Sequence, residues 1–196
     1  MGPHFLLVRL PLAWALLALT ASLADAQGAG RGRPDLEVGG TFGIDTSTSD
    51  FYPGGPEIGG LVELPLSRDW RARGEVGIGF YDIDGPFGAD PDANLRRHRI
   101  AGSLIRPLGQ VGSNRRLHAY VGGGAGLYFY RFSRHSDSVT AGIHGLGGLE
   151  YRLPSPRQRF SVGGELQIQF LGAPDDPGGD GSTGVVHVAG FLKYRL

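Results

Sequence analysis

From Val186 to Leu196 every second residue is apolar or glycine: Val186, Val188, Gly190, Leu192, Tyr194 and Leu196. Between them stand His187, Ala189, Phe191, Lys193 and Arg195. Side chains of a strand point alternately to its two faces, so this segment has one greasy side and one largely wet side. The rest of the chain beyond residue 26 is built alike: apolar residues recur at i, i+2, i+4, and no stretch carries a helical period. The pattern predicts eight strands, at roughly 35–45, 57–66, 70–83, 96–106, 117–131, 140–153, 160–170 and 185–196.

The apolar parity carries Leu36, Val38, Phe42, Ile44, Ile58, Val62, Leu64, Trp70, Val76, Ile78, Phe80, Ile100 and Leu104 in the first four strands. In the next three it carries Leu117, Val121, Leu127, Phe129, Ile143, Leu149, Tyr151, Phe160, Val162, Leu166, Ile168 and Phe170. None of these is charged. The other parity holds Glu37, Asp45, Glu57, Glu63, Glu75, Glu150 and Glu165 together with Arg71, Arg73, Arg97, Arg99, Arg152, Lys193 and Arg195. His98 and Arg106 fall on the apolar parity, at the two ends of the predicted fourth strand.

Ser67-Arg68-Asp69 and 154–159 read as tight turns, whereas 46–56, 84–95 and 171–184 are long connections rich in Gly, Pro, Asp and Ser. Long and short connections broadly alternate, as in an up-and-down barrel with long loops at one rim. Pro107 to Arg115 is long for a tight turn, and Phe132 to Val139 is short for an outer loop. A closed barrel is also the one sheet that crosses a bilayer, because it leaves no unpaired edge. In that reading the uncharged faces meet lipid, and the charged faces line the tube.

The first 26 residues read as a cleaved signal peptide. Arg9 is followed by the apolar run Leu10 to Thr20, and Ala24-Asp25-Ala26 offers small residues for cleavage after Ala26 or Ala24. The run is too short for a membrane helix, which needs about 20 apolar residues. Residues 27–34 are then a short linker, and 35–196 the barrel domain. Formal charge is zero and cysteine is absent. These exclude a global basic field for nucleic acid, a disulfide framework and thiolate metal sites. Aromatic residues mark two rims: Trp70, Tyr151, Phe160 and Tyr194 at the inner one, Phe42, Phe80, Phe129 and Phe170 at the outer one. Headgroup layers select such girdles.

The phrases Leu64-Pro-Leu-Ser-Arg-Asp-Trp70, Leu117-His-Ala-Tyr-Val-Gly-Gly-Gly-Ala-Gly126 and Gly147-Gly-Leu-Glu-Tyr-Arg-Leu153 resemble the small eight-stranded outer-membrane barrels of Gram-negative bacteria, the OmpA/OmpX-like, porin-like group. The resemblance implies an all-β, eight-stranded antiparallel transmembrane barrel in the bacterial outer membrane. It implies lipid and lipopolysaccharide around the barrel, and recognition of the last strand by the barrel-assembly machinery. That signal usually ends in Phe or Trp, where this chain has Leu196.

Within such a tube, inward glycines such as Gly77, Gly79, Gly122, Gly124 and Gly126 make room for Arg71, Arg73, Arg97 and Arg99. The expected interior is an ion network of Glu37, Glu63, Arg71, Arg73, Glu75, Arg97, Arg99, Glu150, Arg152, Glu165, Lys193 and Arg195, and a selective pore would show a ring of one sign instead. The expected protein is a monomeric, non-enzymatic envelope barrel without cofactor, metal or nucleic-acid partner. A narrow channel or hydrophobic-ligand conduit is the alternative. A lipid A-modifying enzyme is a further one, because Ser133, His135 and Asp137 lie at two-residue spacing. The same run reads equally well as a polar loop. His118, His144 and His187 point inward on different strands, and Asp175, Asp176 and Asp180, or Asp82, Asp84, Asp90 and Asp92, are acid-rich loop segments open to Ca²⁺. A soluble lipocalin-like barrel would reverse the faces.

Overall fold

The computed structural model describes residues 36–48, 54–82, 94–132, 137–154, 159–172 and 183–196. The segments 1–35, 49–53, 83–93, 133–136, 155–158 and 173–182 lie outside the described residues. The proposed signal peptide, the linker, Ser133, His135 and most of the acid-rich loops fall there.

Eight strands follow one another: β1 (Glu37–Ser47), β2 (Gly54–Pro65), β3 (Arg71–Asp82), β4 (Asn94–Val111), β5 (Asn114–Phe132), β6 (Ser138–Arg152), β7 (Phe160–Leu171) and β8 (Thr183–Arg195). Each pairs antiparallel with its sequence neighbours. Pairing of β1 with β8, from Glu37↔Arg195 to Ser47↔Val185, closes the sheet into a barrel. Closure satisfies every edge, so no strand is left to pair with another chain.

The polarity of the wall is that of a membrane barrel. Phe42, Ile44, Ile143, Phe170 and Val188 are each more than half exposed on the outside. Glu57, Arg97, Arg99 and Lys193 are at most 2% exposed inside. A lipocalin-like arrangement, with apolar side chains around a central ligand, is excluded by this inversion.

The wall is coiled tightly enough that several strand glycines face a neighbour at close range. A Cβ on Gly124 would run into the Gly102 carbonyl, and one on Gly163 would meet the Leu149 carbonyl and the Phe191 ring. Glycine kinks are how a small barrel turns its corners.

The tight turn after β2 is held by Leu66 N–H and Ser67 N–H, both donating to the Trp70 carbonyl at 2.9 and 3.1 Å. The connection expected at Pro107 to Arg115 is instead strand almost throughout. β4 and β5 run on to Val111 and Asn114 around the two-residue turn Gly112-Ser113. Register shifts between Pro107 and Gly109 and between Gln110 and Val111 mark bulges. Gly109 and Gly112 have φ of +105° and +62°, values that side-chain-bearing residues rarely adopt. Pro107 and these glycines read as punctuation in the sequence, but they bend a hairpin that continues beyond the neighbouring turns. This also corrects the placement of His98 and Arg106, which sit within β4 rather than at its ends. His98 lies between Ile78 and Phe129 in the ladder, and Arg106 faces out near Trp70.

Candidate functional site

The lumen is where the chemistry of this chain converges. Inward positions of all eight strands bring together Asp45 from β1, Glu57 and Glu63 from β2, Arg73 and Glu75 from β3, and Arg97 and Arg99 from β4. Glu150 of β6, Glu165 and Gln167 of β7, and His187 and Lys193 of β8 join them. Tyr120, Tyr128 and Tyr130 come from β5.

These groups form one unbroken acid–base chain along the tube. At the inner rim Arg195 Nη2 meets Glu37 at 2.8 Å. Lys193 Nζ bridges Glu37, Glu63 and Glu150 at 3.1, 3.1 and 2.7 Å. Arg71, partly exposed, reaches Glu63 and Glu150 at 3.3 and 3.5 Å. Arg73 binds Glu63 at 2.6 Å, Glu75 at 3.2 Å and, at short range, Glu165. Arg99 then links Glu75 at 3.4 Å to Glu57 at 2.9 Å. Arg97 joins Glu57 at 2.8 Å to Asp45, which also accepts from the Tyr81 hydroxyl and pairs with His187 Nδ1 at 2.7 Å. Neutral amides fill the gaps. Gln167 accepts from Arg99 at 2.7 Å and donates to Glu165 at 2.7 Å and to Glu75 at 3.3 Å.

Two apolar clusters pack beside this chain. Tyr81, Leu95, Tyr128, Tyr130, Leu171 and Val185 form one near the long-loop end. Leu61, Ile105, Tyr120, Leu146 and Phe191 form the other, closer to the tight-turn end. Aromatic rings also cover the cations. Arg97 lies 5.3 Å from the Tyr81 ring centre and 5.5 Å from that of Tyr128, and Arg73 lies 5.3 Å from that of Tyr120. Such stacking stabilises a guanidinium where water is excluded.

Of the residues expected in the network, Arg152 stands apart. It is half-buried at the last position of β6 and has no ion-pair partner among the described residues. Glu150, the carboxylate on its own strand, is held by Lys193 and Arg71. Tyr120, Tyr128, Tyr130 and Gln167 had no expected role from the sequence. Their signal was parity, since each shares the strand phase of an inward Glu or His.

Asp45, Glu57 and His187 present ligand atoms within 4.8 Å of one another. Both carboxylates are already engaged by Arg97, and Glu57 also by Arg99. His144 Nε2 bonds Ser103 Oγ at 2.7 Å on another part of the wall. Asp137 is exposed and lies 3.8 Å from Arg131. Its proposed catalytic companions are outside the described residues.

The girdle residues sit on the outer surface. Trp70, Phe160 and Tyr194 lie at the tight-turn rim, and Phe160 and Tyr194 pack with ring centres 4.9 Å apart. Tyr151 is next to Leu117 and Val162 at the same rim. Phe42, Phe80, Phe129 and Phe170 lie toward the other end.

The sequence matches no protein-family profile and no curated protein. Likeness is found in structure. Neisserial surface protein A is 13% identical with a TM-score of 0.62, covering 82% of this chain and 97% of its own. A major outer membrane protein from Thermus thermophilus is 14% identical with a TM-score of 0.57, covering 84% and 100%. The outer membrane protein OprG from Pseudomonas aeruginosa is 14% identical with a TM-score of 0.55, covering 83% and 96%. Closed eight-stranded topology, an apolar exterior and a charged interior coincide with these likenesses, and the chain therefore has the fold of the small outer-membrane β-barrels.

Proposed function

We propose that this chain is a non-enzymatic resident of the bacterial outer membrane, whose barrel reinforces the bilayer and whose lumen is closed to ions. The observation that supports a closed lumen is the continuous chain of ion pairs from Arg195 to Asp45, most of them buried, with two apolar clusters packed beside it. A permeating ion would have to break several charge-assisted hydrogen bonds in succession, each made in a low-dielectric tube. Its surroundings are outer-membrane lipid and lipopolysaccharide, and β8 is the segment offered to the barrel-assembly machinery.

Planar-bilayer recording tests this. The expected trace shows no large, steady single-channel steps, and such steps would reject a closed lumen. Mass spectrometry of lipid A from expressing cells tests the absence of catalysis, with unchanged acylation expected.

A further inference from the structure

A formal charge of zero conceals an uneven rim. Arg68, Arg106, Arg115 and Arg116 are all exposed at the tight-turn end, and Asp69 is the one exposed acidic side chain there among the described residues. The carboxylates at this end, Glu37, Glu63 and Glu150, are buried and neutralised by Arg71, Lys193 and Arg195. Among the described residues, the charged side chains exposed at this end are therefore mostly basic.

Two of the rim cations are seated on interfacial aromatics. The Arg106 guanidinium lies 6.0 Å from the Trp70 ring centre, and that of Arg159 lies 5.9 Å from the Tyr194 ring centre while donating to its hydroxyl at 2.8 Å. The β4–β5 hairpin carries the pattern further from the barrel. Outward Leu104 and Leu108 flank Arg106, and exposed Arg115 and Arg116 follow the turn. The surface is continuous with the apolar band that meets acyl chains. An occupant must therefore offer an apolar body and an anionic head at one level.

We infer that this rim binds anionic phospholipid headgroups in the leaflet at the tight-turn end, with Trp70 and Arg106 at its centre and the β4–β5 hairpin as its arm. Cations beside a membrane surface attract acidic lipids, and the attraction weakens as salt screens it. The inference rests on the reading of this chain as a membrane barrel.

The chain has two tryptophans, Trp14 and Trp70, so Trp14→Phe leaves Trp70 as the sole reporter at the rim. The full chain carrying that change is folded into phosphatidylcholine vesicles containing a minor fraction of chain-brominated phosphatidylglycerol or, in parallel, chain-brominated phosphatidylcholine. Quenching of Trp70 is expected to show about fivefold enrichment of the anionic lipid at low salt, falling at high salt. Adding Arg115→Gln and Arg116→Gln, which leaves the Trp70–Arg106 contact in place, is expected to cut the enrichment to about twofold. Insertion is scored separately by heat-modifiable migration on unboiled gels. Equal quenching by the two lipids in an inserted barrel overturns the inference alone, as does a preference unchanged in the double variant. Failure to insert overturns the barrel reading with it.

Discussion

Arg97 shows what a single residue does in this tube. Its side chain is 2% exposed, is bound by Asp45 and Glu57, and is stacked on Tyr81 and Tyr128. Arg97→Met would leave two buried carboxylates short of a cation, and breaking a buried pair in this way costs about 3–5 kcal/mol. The expected outcome is a matching fall in unfolding free energy in urea. Arg195→Met at the rim, where the side chain is 28% exposed, should cost less than about 1 kcal/mol in the same assay. The inward direction of Arg97 was legible from the parity it shares with Arg99, opposite that of Ile100 and Leu104, although Arg96 and Arg106 are exposed on the outward parity of the same strand. Its partners were not, because Asp45 and Glu57 lie on strands whose registers the sequence does not state.

At the scale of the element, the β4–β5 hairpin departs most from the periodicity. Alternation fades after Arg106, and Pro107, Gly109 and Gly112 look like a loop. Ladder pairing nonetheless continues through Pro107↔Tyr120, Gly109↔Ala119 and Gln110↔His118. Bulges change the facing of side chains without ending a strand, so a period-of-two reading loses the element at the point where it bends. Gly112→Val is expected to cost about 1–2 kcal/mol, because its φ of +62° is strained for a branched residue. Urea unfolding checks it. Gly163→Ala belongs to the same scale, since its methyl would press the Leu149 carbonyl and the Phe191 ring. Overpacking of this kind costs about 1–3 kcal/mol, and a slower, less complete fold into vesicles is expected in gel-shift kinetics.

For the molecule as a whole, depth in the bilayer sets the cost of a charge. Val76 lies mid-strand in β3, exposed between Gly60 and Ile100. Val76→Arg is expected to cost about 2–4 kcal/mol, whereas Leu108→Arg, on the extended hairpin beyond the membrane core, should cost about 0–1 kcal/mol. Vesicle unfolding titrations of the two variants give the comparison. Comparable losses would place the hairpin inside the hydrocarbon. The whole-molecule view also changes the meaning of neutrality: the lumen balances its own charges, so the exposed arginines act on their surroundings as a basic rim.

Alternation determined eight strands and, outside the β4–β5 hairpin, their inward and outward faces. The physical reason is that a charge on a lipid-facing position is so costly that each strand must declare its phase in its own residues. Which acid meets which base was decided only in three dimensions. Shear staggers the strands, so that Asp45 meets Arg97 and His187, Arg73 meets Glu63 and Glu165, and Arg152 reaches no carboxylate among the described residues. The same tertiary geometry turned an apparent loop into a basic hairpin, because bulges and left-handed glycines preserve hydrogen bonding while hiding the period that would announce it.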